Sequence, residues 1–523
     1  MTTLPAHDAH ASLQQHWQGE YARHLRQRLT RSLDYLGQSP RAEVRAHLRS
    51  FLALLNETRR YPHLNGEALR LIARLHPLPV RWGLGYLWEP QLRFALEHTP
   101  LALADARAEY HCDLGDVYLF GGQFEKAIQQ AEAVLAAPSL PLTLAARAVR
   151  ILFTCLRSTG TPNQADDWIE RSRPLFQADQ PASEVPPALA QAWLRFNQCQ
   201  LELLREQGKI DPALDLVEQM IWLNQREDAR DPVLTADLLT HRSTLLWVRA
   251  RYPESVADLQ AAVDLYRRED DHFNAESLSS NLGLVYWTMG ELDRAEASLR
   301  AAIRYYRKTG SQQLLTYDIG NLGLVHFARG ELEDALRQTE EHIRHSLNIN
   351  FISEYNRGRR NLGTILIYFG RIAEAIRELN ACHAYYEKRG SRDGYALDVV
   401  WLARCEYLLG EREKARQMAA AILKESIQRG SVLLEQVTLR CLADFLPPGE
   451  RKVLLERSLE LARANNRRLE EAASLLALAA ASAPADQGLK HWEAGARLLV
   501  EMGAETWLED RSPENPPFIP LLL

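Results

Sequence analysis

Three identical triplets, Asn281-Leu282-Gly283, Asn321-Leu322-Gly323 and Asn361-Leu362-Gly363, stand forty residues apart. A chain that returns to itself at a fixed period of this length folds as stacked copies of one supersecondary unit, because no single copy can bury its apolar face alone. The same phase brings back Gly290, Gly330, Gly370 and Gly410, then Ala295, Ala335, Ala375 and Ala415 five residues after each glycine. A third phase gives Gly310, Asn350, Gly390 and Gly430, with Ser311, Ser391 and Ser431 after three of them as N-cap candidates. Glycine and asparagine end helices where the chain must turn through the left-handed region. Each unit is therefore expected to hold two helices, A and B. The first glycine set breaks A from B, and the second set breaks B from the next A.

Between Pro253 and Pro447 there are 193 residues without proline. The turns of a mixed or all-β domain would rarely avoid it, whereas helices exclude it from their interiors. The small residues have a packing reason. Gly283 and Gly323 are expected to let a neighbouring helix approach closely, and the alanines after each turn to let helix B lie against helix A.

These residues resemble the tetratricopeptide repeat family: Leu282, Gly283, Tyr286, Gly290, Ala295, Leu299 and Ala302 follow its pattern position by position. The period is forty residues in place of about thirty-four, and the proline that usually closes a unit is missing. About six added residues lengthen the helices of each pair by roughly 9 Å in total. This longer variety looks like the arrays of bacterial peptide-sensing regulators, kinesin light chains and signalling-ATPase sensors. His342 and Ile422 stand where the pattern prefers a small residue such as Ala302. The resemblance implies an all-α, right-handed superhelical solenoid of antiparallel helix pairs, roughly ten in all.

Weaker units extend the array. Leu246, Ala250, Ser255, Leu259 and Ala262 keep the phase, and Gly208 with Ala213, Gly160 with Ala165, and Leu114-Gly115 with Tyr118, Gly122 and Ala127 mark three more. The expected organisation is a divergent, Arg-rich helical region at 1–100, degenerate repeats at 101–235, regular repeats at 236–435, capping helices at 436–508, and a Pro-rich tail at 509–523 lying over the last helix or disordered. In residues 1–81 there are twelve Arg, no Lys and six acidic residues, on a helical pattern that includes Leu25, Leu29, Leu33 and Leu36. That region reads either as eroded capping repeats or as a docking or nucleic-acid module, and no complete helix-turn-helix pattern supports the latter. Residues 82–90, with two glycines and Pro90, suggest a loop between the two regions.

Composition excludes several functions. A formal charge of -6 gives no general basic footprint for nucleic acid, so DNA is admitted as a partner only through the N-terminal region. The longest near-apolar run, residues 472–485, is too short to span a bilayer, and a soluble cytoplasmic protein is expected. Six cysteines, Cys112, Cys155, Cys199, Cys382, Cys405 and Cys441, stand singly, which suits reduced thiols in core positions. There is no phosphate-binding loop, no G-x-S-x-G elbow and no H-E-x-x-H helix. No enzyme, cofactor or metal is expected. His342, His345 and His383 have a spacing that can collect a metal, but read more simply as surface or packing histidines.

In the resembling family the inner surface is lined by the second, fifth, sixth, ninth and twelfth residues of helix A, counted with Leu282 as seventh. Carried over, the sixth positions are His241, Asn281, Asn321, Asn361 and Trp401, and the twelfth are Trp247, Trp287, Phe327, Ile367 and Tyr407. A carboxamide offers both donor and acceptor to a peptide unit, and aromatic surface favours apolar ligand side chains. The groove also has a charge direction: Asp237, then Ser277 and Ser280, Tyr317, and finally Arg357, Arg360 and Arg404. These arginines suit an acidic residue or C-terminal carboxylate of a ligand. The alternative at every rung is that the asparagine bonds within the solenoid and the ring belongs to the inter-helix core. The expected function is non-enzymatic binding of an extended peptide or protein segment along residues 237–407. A signal-responsive regulator acting on an effector or DNA through its N-terminal region, and a scaffold subunit of an enzyme complex, are the alternatives. Assembly as a homo-oligomer stays open.

Overall fold

The structure, a computed structural model, describes every residue except 1–5, 40, 77, 138–139, 160, 208, 389–391, 483–484 and 520–523. Gly160, Gly208, Gly390, Ser391 and the last four residues of the tail thus lie outside the described residues. The chain forms two compact units, one of residues 1–239 with 262–275, the other of 240–261 with 276–523. Among the described residues both are built from α-helices and short 3-10 turns, without a strand ladder, and no helix is long and apolar enough to cross a membrane.

The first unit begins with α1 (Ala6–Gln38), α2 (Arg41–Ala46), α3 (Leu48–Thr58), α4 (Asn65–Leu75), α5 (Leu78–Arg81) and α6 (Gly85–His98). Helix pairs follow: α7 (Ala104–Phe120) with α8 (Phe124–Leu135), α9 (Leu142–Ser158) with α10 (Pro162–Phe176), and α11 (Pro187–Glu206) with α12 (Ile210–Asn224). Leu25 and Leu29 of α1 are fully buried with Leu48, Phe51, Leu71 and Trp88, and Leu33 and Leu36 pack on the same cluster. The expected loop at 82–90 is largely helix: the break is confined to residues before Gly85, and Pro90 sits inside α6. The missing donor of Pro90 leaves the carbonyl of Tyr86 unbonded in the helix, and Tyr86 is exposed, so water can take it. Trp82 is buried, its indole N–H donating to Asp270 at 2.7 Å.

Two pairs follow whose first helices straddle the division, α13 (Pro232–Val248) with α14 (Tyr252–Arg268) and α15 (His272–Met289) with α16 (Leu292–Thr309), and then α17 (Gln312–Arg329) with α18 (Leu332–Asn348), which lies wholly in the second unit. Then come α19 (Ile352–Tyr368) with α20 (Ile372–Lys388), α21 (Arg392–Leu408) with α22 (Arg412–Arg429), α23 (Val432–Phe445) with α24 (Pro448–Ala464), and α25 (Arg468–Ala481) with α26 (Ala485–Glu501). From α7 the chain thus runs as ten successive pairs, and the all-α expectation holds. From α16 onward each helix packs on the next.

The glycine rhythm has the expected cause. Gly290 has φ +75°, its N–H bonds the carbonyl of Trp287, and the N–H of Glu291 reaches back to Tyr286 at 2.8 Å. That paired closure of a helix end repeats at Gly330, Gly370 and Gly410. Ala295, Ala335, Ala375 and Ala415 are all fully buried. The close-approach expectation holds at Gly283, where a β-carbon would lie 2.8 Å from Leu299 Cγ, but at Gly323 the nearest atom, Thr339 Oγ1, is an ordinary 3.4 Å away. His342 fits its small-residue position because Gly320 and Gly358 make room on either side; a β-carbon at either would lie 2.9 to 3.0 Å from its ring. All six cysteines are buried and unbridged, and burial pushes each thiol up to about 12.

The C-terminal end of the second unit returns along the turns between A and B helices. Asn466 donates to the carbonyl of Ala250, Met502 sits on Gly290, and Trp507 sits on Gly330. Three turns forty residues apart are each covered by a different C-terminal side chain. The expectation that the tail lies over the last helix or is disordered is therefore corrected for residues 509–519. Ile519, with Trp507 just before this segment, joins one core cluster with Tyr286, Phe327 and Ala328 of the A helices.

Candidate functional site

The A helices α17, α19 and α21 carry most of the residues expected on the inner face, and these divide into those spent within the helices and those that meet the tail. Asn281 is half-buried. Asn321 is only 7% exposed; it accepts from Arg357 Nη1 at 3.3 Å and hydrogen-bonds the Asp318 carboxylate. Asn361 is 2% exposed, and its Oδ1 is buried without a partner. Of the flanking sixth positions, Trp401 is a core residue and His241 is half-buried. The amides thus lie mainly between helices.

The arginines are similarly engaged. Arg357 holds Glu354 at 2.7 Å, and Glu354 also meets His342 Nε2 at 3.1 Å. Burial pushes the Glu354 carboxyl up, and Arg357 and His342 outweigh it, holding the group below its usual range. Arg360 Nε donates to Asp398 at 2.6 Å with its guanidinium 4.4 Å from the Tyr386 ring. Arg404 pairs with Asp444. One register rule accounts for two of these contacts: Ser280 donates to Asp318 and Arg360 to Asp398, each partner 38 residues on. At the equivalent pair Gly320 and Gly358 there is no polar contact to make, and His342 fills the space. Burial pushes the Asp318 carboxyl up to about 7, against the hydrogen bonds of Ser280 and Asn321.

The rings form a half-open row. Trp247 is half-buried and donates its indole N–H to Thr288 at 3.0 Å, while the buried N–H of Trp287 has no partner. Tyr317 is 39% exposed and meets Phe351 edge-on at 5.2 Å. Tyr407 stacks on Phe445 at 4.8 Å. Phe327 is buried, held edge-on by Tyr368 and Trp507. Asp237, in the first unit, accepts from the Tyr266 hydroxyl. Ser277 is half-buried.

The tail crosses this face on a diagonal. Trp507 donates to the carbonyl of Ala328, Tyr368 donates its hydroxyl to the carbonyl of Phe518 at 2.7 Å, and Arg440 donates to the carbonyl of Ile519 at 2.6 Å. The Phe518 ring lies 4.1 Å from the Arg404 guanidinium. Counted as before, Phe327, Tyr368, Arg404 and Arg440 are residues twelve, thirteen, nine and five of successive A helices, so the path descends from the turn edge toward the helix starts. Between tail and helices lies a cavity of about 480 Å³ walled by Ile367, Tyr368, Arg404, Tyr407, Arg511 and Phe518. Trp507, Phe518, Ile519 and Arg440 escaped the sequence reading; a proline-rich segment that also carries large apolar residues was the available signal.

His342, His345 and His383 are not gathered on a metal: His342 is committed to Glu354 and His383 stacks on Tyr395 at 4.3 Å. Among the described residues, His326, Glu331 and Asp334 bring three ligand-type atoms together, but Glu331 bonds His326 at 2.5 Å and Asp334 pairs with Arg337. These contacts satisfy the group without an ion.

Successive helix pairs, each helix from α16 onward packed on the next, define a helical-repeat architecture. Residues 234–308 match the tetratricopeptide repeat family. No curated protein sequence matches the chain. Among solved structures, a Rap protein complexed with competence and sporulation factor is 12% identical over 71% of this chain and 99% of its own, with a TM-score of 0.53. The apo form of the quorum sensor NprR from B. thuringiensis is 11% identical over 68% and 98%, with a TM-score of 0.49. Aspartyl phosphate phosphatase F from Bacillus subtilis is 15% identical over 70% and 95%, with a TM-score of 0.44.

Proposed function

We propose that this chain is a non-enzymatic peptide-binding protein that holds an extended polypeptide segment on the inner face of its regular repeats. One observation carries the reading. Residues 516–519, which have no secondary structure, lie on that face with two main-chain carbonyls taken by Tyr368 and Arg440. Recognition through main-chain groups and ring pockets is what an extended ligand requires, and each such hydrogen bond contributes about 1 kcal/mol, so several must act together. The fold shared with a Rap protein solved with competence and sporulation factor bound gives the same reading further support.

Trp247, Trp287, Tyr317 and Tyr407 are proposed as the ligand-facing rings. Asn281 is proposed as the amide nearest to solvent. Asn321, Asn361, Arg357, Arg360 and Arg404 set the shape and charge of the face from between the helices, and Phe327 contributes once the tail moves. The test is selection of a displayed peptide library on the purified full chain. Binders should be lost on Tyr317→Ala or Trp287→Ala and kept on Glu340→Ala, an exposed change on α18. Binders indifferent to the first two changes, or none at all, would overturn the reading.

A further inference from the structure

We propose that residues 505–519 are the resident occupant of the inner face, and that the external ligand displacing them is a peptide whose aromatic and aliphatic residues are followed by a free C-terminal carboxylate received by Arg440. The proposal rests on the peptide-binding reading above and adds the regulation and the ligand chemistry.

Arg440 differs from the other arginines of the face. Arg357, Arg360 and Arg404 each hold a carboxylate of the chain. Arg440 is 5% exposed, and among the described residues no carboxylate forms an ion pair with it. Its Nη1 donates to the carbonyl of Ile519, and its Nε is buried without a partner. Ile519 is followed by Pro520, so the tail offers a neutral amide oxygen. A carboxylate at the same place meets a guanidinium that holds no carboxylate of the chain with a full charge, and such a charge-assisted hydrogen bond is shorter and stronger than one to a neutral amide oxygen.

The neighbouring contacts describe the rest of the ligand. Phe518 lies against Arg404, the Ile519 side chain is buried, and the cavity beside Phe518 leaves room for a larger side chain. Being covalently attached, the tail competes at an effective concentration in the millimolar range, so a free peptide must bind its pockets better than the tail does. The carboxylate supplies that advantage.

The probe is a fluorescein-labelled synthetic peptide of residues 507–519, made both with a free C-terminal carboxylate and as the amide. Anisotropy is measured on the full chain and on the full-length double variant Trp507→Ala/Phe518→Ala. The acid probe should bind the double variant at least about tenfold more tightly than the wild type. On that variant the acid should exceed the amide by about tenfold, and Arg440→Gln should erase the difference. Equal affinity for the two chains overturns the occupancy, and equal affinity of acid and amide overturns the carboxylate assignment. If circular dichroism shows the double variant unfolded, hydrogen exchange on the wild type decides: excess acid probe should speed exchange in residues 505–519, and unchanged exchange overturns the proposal. Library binders that depend on Tyr317, found alongside a tail without effect, would remove this inference alone; the absence of any binding peptide would remove the peptide-binding reading with it.

Discussion

The indole N–H of Trp507 donates to the carbonyl oxygen of Ala328 at 3.0 Å. Ala328 lies in the last turn of α17, where carbonyls have no partner within the helix, so the tail satisfies a group that an uncovered helix end would leave to water. The same ring packs edge-on against Phe327 and Tyr368. Trp507→Ala removes both contributions. A loss of about 3 to 5 kcal/mol is expected for a buried tryptophan, and a tail held by its own fit should also exchange its amides faster. Chemical denaturation checks the first, hydrogen exchange the second. A stability change below about 1 kcal/mol, within the range of ordinary surface substitutions or slightly above it, would mean that the ring is not packed as described.

Two glycines in identical triplets should respond differently to alanine. At Gly283 the added carbon meets Leu299 at 2.8 Å and the carbonyl of Ala295 at 3.3 Å, which makes overpacking of about 1 to 3 kcal/mol the governing effect. At Gly323 the nearest contact is 3.4 Å, and the better helix propensity of alanine, up to about 1 kcal/mol, prevails. Thermal melts should therefore show Gly283→Ala lowering Tm and Gly323→Ala leaving it level or raising it. The reverse order would contradict the packing.

Arg360 and Asp398 make a buried pair, so removing one partner is worse than removing both. Arg360→Met strands the Asp398 carboxylate and should cost about 3 to 5 kcal/mol, whereas Arg360→Met with Asp398→Leu should recover most of the loss. A double-mutant cycle in denaturant measures this. No recovery in the double variant would mean that the other contacts of Arg360, with the Gly394 carbonyl and the Tyr386 ring, outweigh its pairing with Asp398.

Asp318 gives the protein a pH dependence of definite sign. Burial raises its carboxyl from 3.8 to about 7. Between these values the folded chain holds a proton that the unfolded chain lacks, so this group's stabilisation is complete below about pH 4 and is lost as pH rises through 7. Melting at pH 5 and pH 8 should show a larger drop in the wild type than in Asp318→Asn. Equal drops would show that the carboxyl does not titrate there.

The helical architecture was legible because turn chemistry repeats: Gly290, Gly330, Gly370 and Gly410 each take positive φ, and that requirement survives in one-dimensional spacing. What covers the helices was not legible. Asn321 and Asn361 occupy the expected register yet are buried, and the polar contacts beside them, Ser280 to Asp318 and Arg360 to Asp398, join successive A helices at a spacing of 38 residues, just short of the period. The tail's contacts follow no period: Tyr368 meets Phe518 across 150 residues, and only the return of the C-terminal helices along the turns brings them together. Pro90 misled for the opposite reason, since an exposed turn of α6 tolerates the lost hydrogen bond.

The most direct test of peptide binding on the inner face is site-specific photo-crosslinking in a lysate of the source cells. A benzophenone amino acid is placed at Tyr317 on the inner face and, in a second protein, at Glu340 on α18, and crosslinked peptides are identified by mass spectrometry. Expected is a defined set of extended segments captured from position 317 alone and reduced by excess of a library-selected peptide. The same captures from both positions, or captures from 340 only, would contradict it.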